Sequence, residues 1–215
     1  MSLPVVSYLE EILNQNHRIM KGSFLSIIAL FFTLSVHAQT KWNIDGAHSS
    51  VSFDVMYMSI TEVSGKFHTF SGQVQAEQED FSDAKIEFNI EVNSINTENE
   101  RRDKHLRNTD FFDVEKYPEI TFRSSSFKKS EGRNYILTGD LTMHGITKKI
   151  SLDVVFNGTA KDFRGNTRAG FKVTGSLDRE DFGLSWNRTL EGGNLLVGDE
   201  VEIVCQIQLV KASET

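Results

Sequence analysis

From Trp42 onward, apolar side chains recur at every second position. Val51, Phe53, Val55 and Tyr57 alternate with Ser52, Asp54 and Met56, and Ile86, Phe88, Ile90 and Val92 alternate with Glu87, Asn89 and Glu91. A period of two sends successive side chains to opposite faces of an extended chain, so each run predicts a strand with one dry and one wet face. The pattern returns at Ile120/Phe122, at Tyr135/Leu137/Gly139/Leu141 and at Ile150/Leu152/Val154/Phe156. It returns again at Ala169/Phe171/Val173/Gly175/Leu177 and at Val201/Ile203/Cys205/Ile207/Leu209. With Val63 to Ala76 added, these make eight strands. Turns at Glu131-Gly132, His144-Gly145 and Arg164-Gly165-Asn166 punctuate them.

One stretch breaks the rhythm. Between Ser94 and Pro118, Thr97-Glu98-Asn99-Glu100 matches a capping box, and the polar run to Asn108 holds Leu106 as its one apolar residue. That composition suits a short helix lying on the outside of a sheet. Phe111, Phe112 and Val114 follow as an apolar clamp, which Pro118 ends. The expectation is a crossover over about residues 96–117 carrying one or two short helices.

Eight long alternating strands must hide their dry faces, in a closed barrel or in a sandwich. Gly139 and Gly175 fall on dry faces, where a missing side chain permits tight coiling or leaves interior room, and this favours the barrel. A barrel of about eight strands can hold one small ligand if its own side chains do not fill it. The predicted class is therefore an all-β, extended eight-stranded antiparallel barrel, with space for a long thin apolar ligand.

Composition narrows the function. With 30 acidic against 23 basic residues, a net charge of −7 gives no basis for a nucleic-acid partner. A single Cys excludes an intramolecular disulfide, and its place mid-strand among Val201, Ile203 and Ile207 reads as a buried inert thiol. Phe is abundant, at sixteen residues. No G-x-S-x-G, phosphate-binding glycine loop or C-x-x-C occurs, so neither a nucleophilic enzyme nor a metal or other cofactor is expected.

The chain also carries a secretory pattern. Lys21 supplies a positive start, Phe24 to Val36 forms the apolar core, and Val36-His37-Ala38 is a small-residue cleavage site. The apolar run is short for a membrane span, which takes about 20 residues. No Cys follows it to accept a lipid. Glu10 and Glu11 place acid where such a signal wants base. The reading is a leader at 1–19 preceding the true start, a signal peptide from Met20 to Ala38, and one domain over 39–215. Periplasmic or secreted localisation follows.

Five ordered motifs then make a resemblance. Trp42-x-Ile44-Asp45-x-x-His48-Ser49-x-Val51-x-Phe53 is the first. Arg102-Asp103-x-His105-Leu106-Arg107 runs into Phe111-Phe112-Asp113 and Tyr117-Pro118-Glu119-Ile120-Thr121-Phe122 as the second. Gly139-Asp140-Leu141-Thr142-Met143-His144-Gly145-Ile146-Thr147, Asp178-Arg179-x-x-Phe182-Gly183 and Val197-Gly198-Asp199-Glu200-Val201 complete the set. Together they resemble the YceI family of bacterial periplasmic proteins across essentially the whole mature chain. The departures are mild: Arg179-Glu180-Asp181 replaces the common Arg-Ser-Asp, and Gly192-Gly193-Asn194 varies the Gly-rich turn. The resemblance implies a lipocalin-like barrel that holds a polyisoprenoid or other long-chain lipid and performs no catalysis.

The expected cavity wall consists of dry-face residues. Phe53, Val55, Tyr57 and Phe67 come from the first hairpin, Phe88 and Ile90 from the next strand, and Phe122, Leu137 and Leu141 from the middle of the chain. Leu152, Val154, Phe171, Val173 and Trp186 complete it, with the strand phase of Phe67 and Trp186 ambiguous. Arg102, His105 and Arg107 in the crossover are candidate contacts for a polar head group. The Asp45/His48 and Asp103/His105 pairs invite an acid–base or zinc reading, but no third ligand stands at metal spacing, and Asp45 to His48 reads as a turn. The expected function is carriage, storage or sequestration of a lipid in the cell envelope, with a stress role among its forms. Transient contact with a membrane or envelope protein, and a monomer or homodimer, go with it. The alternative is an interaction module whose barrel is filled by its own aromatics.

Overall fold

The computed structural model describes residues 39–193 and 195–212. The leader and signal peptide expected over 1–38 lie outside them. Eleven strands form one sheet: β1 (Thr40–Ile44), β2 (Ser50–Tyr57), β3 (Thr61–Phe67), β4 (Phe70–Ala76), β5 (Lys85–Glu91), β6 (Ile95–Asn96), β7 (Glu119–Lys129), β8 (Asn134–Met143), β9 (Ile146–Lys161), β10 (Thr167–Asp178) and β11 (Val197–Lys211). Every pairing is antiparallel, and β1 pairs with both β4 and β11, which closes the sheet on itself.

Three pairs of consecutive strands act as single broken staves, so the closed barrel has the expected eight. β1 and β2 are separated by a 3₁₀ turn at Gly46–His48, which the Asp45 carboxylate caps by accepting from Ala47 N. β3 and β4 break at His68-Thr69, and β5 and β6 at the 3₁₀ turn Val92–Ser94. Register shifts at Ser124/Ser126 and Gly170/Phe171 add the local twist that closure needs. The β8–β9 hairpin turns tightly at His144 and Gly145, whose φ angles are 51° and 76°, both in the left-handed region that a type I′ turn requires.

The ends of the barrel differ. At the floor, the loop between β4 and β5 folds inward and buries Phe81 to 1% exposure. Its ring packs against Trp42 (5.0 Å between centroids), Phe171 (5.1 Å) and Phe156 (5.4 Å). Asp83 fixes the loop by accepting from the backbone of Glu77 and Gln78, and the Tyr135 hydroxyl donates to Asp80 O at 2.7 Å. A loop without periodicity gives no sequence signal for such a plug.

At the other end lies the crossover with its one α-helix, α1 (Glu100–Arg107). The capping box does not form as expected. Asn99 is the N-cap and accepts from Arg102 N at 3.0 Å. Thr97 turns inward instead and donates both its backbone N–H (2.9 Å) and its hydroxyl (2.5 Å) to the buried Asp103 carboxylate. A buried carboxylate needs donors more than a solvated helix end does, and that requirement sets the geometry.

Candidate ligand-binding cavity

The dry faces of the barrel enclose two adjoining chambers of about 160 Å³ each. The deeper one, resting on Phe81, is lined by Ile, Leu, Val, Phe and Ala side chains and Cys205 alone. A space so lined holds no water. The second chamber lies beneath the crossover, where Leu106, Phe111 and Phe112 roof it. Val51, Ile90, Leu141 and Ile203 belong to the walls of both. Beyond Phe53, Val55, Leu106, Phe111 and Val197, the second chamber gives onto an outer pocket of about 570 Å³ that forms the mouth.

Each wall residue named from the sequence lies on one of these surfaces. Phe88, Ile90, Phe122, Leu137, Leu141, Leu152, Val154, Phe171 and Val173 line the deep chamber. Phe53, Val55 and Phe67 line the second, and Tyr57 and Trp186 stand at the mouth. Phe67 is buried, and Trp186 lies outside any strand, in the strap from Leu184 to Leu196 that crosses the rim. The expected wall left out Phe81 and the three roof residues, which come from segments with no period of two, and it also left out residues of alternating strands, among them Ile86, Ile150, Ile203, Cys205 and Ile207.

The dry-face glycines keep the lumen open by a different route from the one composition implies. A Cβ on Gly65 would lie 2.2 Å from the Phe53 ring, one on Gly139 2.4 Å from the Phe122 ring, and one on Gly175 2.5 Å from a Leu152 methyl. The large side chains lie back over these glycines, along the wall rather than across the tube. Cys205 sits in that wall, and burial pushes its thiol up to about 11.

The candidate head-group residues separate. Arg102 donates to the hydroxyl (2.7 Å) and carbonyl (2.6 Å) of Thr97, so it borders the mouth with its guanidinium already committed. Arg107 donates to the carbonyls of Asn93 (2.9 Å) and Ile95 (2.6 Å) and borders none of the three spaces. It is a fastening for the crossover. His105 is at the mouth, hydrogen-bonded to Asp110 at 2.9 Å and set edge-on against Trp186 and Phe111. Two further residues there, Arg101 and Arg188, were not singled out from sequence.

Arg179, 4% exposed, holds the strap in place. It donates to the carbonyls of Gly198 (2.9 Å), Trp186 (3.1 Å) and Leu184, and to the Asp199 carboxylate at 2.6 Å. The histidines do not converge: His48 pairs with Asp45, His105 with Asp110 and His144 with the Phe182 carbonyl. Among the described residues, no group of three or more His, Cys, Asp or Glu could hold a metal ion. No described helix is long and apolar enough to cross a membrane.

This barrel has counterparts among known proteins. The model of the YceI-like domain matches residues 42–209. The chain belongs to the YceI-like family. A UPF0312 protein of Staphylococcus aureus (strain MSSA476) is 38% identical over 164 residues, covering 76% of this chain and 93% of the relative. Among solved structures, BcnA of Burkholderia cenocepacia superposes with a TM-score of 0.65 at 25% identity, covering 77% of this chain and 98% of its own. The YceI protein of Campylobacter jejuni gives 0.63 at 30% identity, covering 72% and 88%. A polyisoprenoid binding domain from Saccharophagus degradans gives 0.61 at 15% identity, covering 80% and 98%, a likeness of fold alone.

Proposed function

We propose that this YceI-like protein is an exported, non-catalytic carrier or sink for one long apolar lipid, a polyisoprenoid or similar chain, held in the barrel. The observation that carries this reading is the pair of carbon-lined chambers sharing four wall residues and leading to one mouth. Burying a chain there contributes about 0.8 kcal/mol per methylene. A dozen methylenes therefore outweigh a substantial immobilisation cost. The Saccharophagus degradans neighbour, described as polyisoprenoid binding, lends support through its shared fold. Export rests on the Met20–Ala38 signal, and placement in the envelope follows from it.

The self-filled alternative is weakened by the glycine-backed aromatics, which line the tube without crossing it. Native mass spectrometry of protein purified gently from its own host tests the proposal. A polypeptide carrying a stoichiometric lipid mass is expected. A bare polypeptide mass that stays bare after added isoprenoids overturns it.

A further inference from the structure

The apolar side chains left exposed are not spread evenly over the barrel. Among the described residues seven large ones are exposed, and four of these, Met56, Tyr57, Ile60 and Leu195, belong to the β2–β3 hairpin and the strap beside it. The two segments meet at that point. Met58 N donates to the Leu196 carbonyl at 2.8 Å, and Tyr57 stands opposite Val197 in the β2–β11 register. Met56 and Tyr57 also line the outer pocket, together with Leu196 and Trp186, so the patch is continuous with the mouth. Phe163, by contrast, is a lone exposed ring on the β9–β10 hairpin, with the Arg164 guanidinium 5.3 Å away. A single exposed residue needs no explanation, whereas a contiguous apolar patch does.

The tip of the hairpin breaks the chemistry of its own turn. Ile60 N donates to the Tyr57 carbonyl at 3.2 Å, and the two residues between them, Met58 and Ser59, have φ angles of 55° and 61°. A type I′ turn of this form ordinarily takes Asn-Gly, because both central residues must be left-handed and both face water. Met in that region suffers a clash between its Cβ and the backbone that Gly avoids. Ile60, 79% exposed, leaves most of its side chain in water. The β7–β8 tip shows the ordinary solution, Ser130-Glu131-Gly132-Arg133 with Gly132 at φ 57°. The apolar part of the cost at Met58 and Ile60 disappears only in an apolar medium.

We infer that the hairpin tip from Tyr57 to Ile60, with Leu195 of the strap, is a docking surface for a lipid bilayer, which it enters so that the mouth opens onto hydrocarbon. The inference rests on the lipid-carrier reading and adds to it the partner from which the ligand comes. A long apolar chain resides in a membrane rather than in water, and the patch joins the mouth of a carbon-lined tube. Tyr57 and Trp186 border that mouth, and such rings, apolar in the body and polar at one edge, favour the level of the lipid head groups. Charge does not drive the contact. Arg101 and Arg188 border the mouth, but Glu62 faces Met56 across the hairpin, Glu191 lies in the strap, Glu100 and Asp103 lie in the first turn of α1, and the net charge is −7. Insertion of apolar side chains has to supply the affinity, so the contact is insensitive to salt.

Vesicles of phosphatidylcholine, alone or mixed with phosphatidylglycerol and doped with geranylgeraniol, test it against delipidated protein purified from its own host. The wild type should float with both kinds of vesicle at low and high salt, and take up the alcohol. In Met58→Asn/Ser59→Gly/Ile60→Thr the turn receives its ordinary residues, so the barrel is expected to be no less stable to urea. Vesicle binding and the rate of uptake from vesicles should each fall about tenfold or more in that variant, while uptake of geranylgeraniol presented on cyclodextrin stays unchanged. Ser59→Gly alone, which relieves the turn and keeps both apolar side chains, should bind like the wild type. A wild type that takes up the alcohol without binding vesicles, or binds only anionic vesicles at low salt, overturns the docking surface and leaves the carrier reading in place; so does a triple variant that still binds them. Self-association of the wild type that the triple variant abolishes, with no vesicle binding, also overturns it and makes the patch an interface between copies. Uptake from neither vesicles nor cyclodextrin overturns the carrier reading itself.

Discussion

Phe53 and Gly65 face each other across the β2–β3 hairpin, and the Phe53 ring occupies the space that a side chain at Gly65 would take. Phe88 and Gly72 repeat the arrangement between β4 and β5, where the ring comes within 3.0 Å of the position of a Cβ. The three nearest atoms that Gly65→Ala meets are the far atoms of the Phe53 ring, which can swing away into the second chamber. At Gly139 the added carbon also meets the Arg123 carbonyl at 2.5 Å, and backbone cannot move aside so easily. Gly139→Ala should therefore cost about 1–3 kcal/mol and Gly65→Ala less, while Gly65→Ala should reduce lipid uptake. Urea unfolding paired with lipid titration checks both, and an equal stability loss in the two variants would refute the contrast.

Leu141 belongs to the walls of both chambers. Leu141→Trp fills the passage between them and is expected to abolish uptake of long isoprenoids while preserving the far-UV circular dichroism of the barrel. Val154→Trp, placed in the deep chamber, should shorten the accepted chain. Unchanged uptake in both variants would mean that these side chains do not meet the ligand.

Arg168 bridges two carboxylates near the floor, Asp162 at 2.9 Å and Asp45. The Arg168 guanidinium holds the Asp45 carboxyl down to about 2, and Asn166 together with Arg168 does the same for Asp162. Groups with lowered values stabilise the fold fully above their ordinary value near 3.8 and lose that contribution as pH falls toward 2. Arg168→Met should accordingly lower Tm most above about pH 4, with the gap to wild type closing toward pH 2. A gap that is constant with pH would show that the bridge contributes nothing through ionisation.

With its thiol pushed up to about 11, Cys205 is almost wholly protonated at pH 8. Alkylation there should run roughly a hundredfold slower than for an unburied cysteine. Unfolding in urea should restore the ordinary rate, and bound isoprenoid should slow it further in the folded protein. A rate typical of a free thiol in native protein would contradict the placement of Cys205 in the wall.

Removing the Arg179 guanidinium leaves the carbonyls of Leu184, Trp186 and Gly198 without their donor. Arg179→Met should cost on the order of 3 kcal/mol and loosen the strap. Trp186 emission should shift to the red, and limited proteolysis should cut between Leu184 and Leu196. Trp42, buried under Phe81, gives the unchanged background. Unaltered emission would show that the strap is held by other contacts.

The barrel was legible because a period of two needs no long-range information: Val51, Phe53 and Val55 declare their face locally. The same alternation placed the wall residues of β5, β7, β8, β9 and β10. Residues outside strands were legible only as types. Arg179 reads as the end of a strand, and its role depends on the strap returning across it eighteen positions later at Val197. Arg102 and Arg107 resemble free cations in a polar run because the carbonyls that occupy them belong to a segment whose course the sequence does not reveal. Arg101, one residue away, is indistinguishable from Arg102 by composition, yet it faces the mouth unengaged.

The inward fold of Phe81 makes the tube blind. On the proposed carrier reading, a chain would enter tail first and its head would stop at the rim. The distance from the Phe81 ring to the mouth then works as a ruler: chains that fall short leave wall carbon uncovered, and chains that overrun it leave methylenes in water. Delivery and pickup would, on that reading, share the one opening, and a donor or acceptor would have to meet the face carrying α1 and the strap.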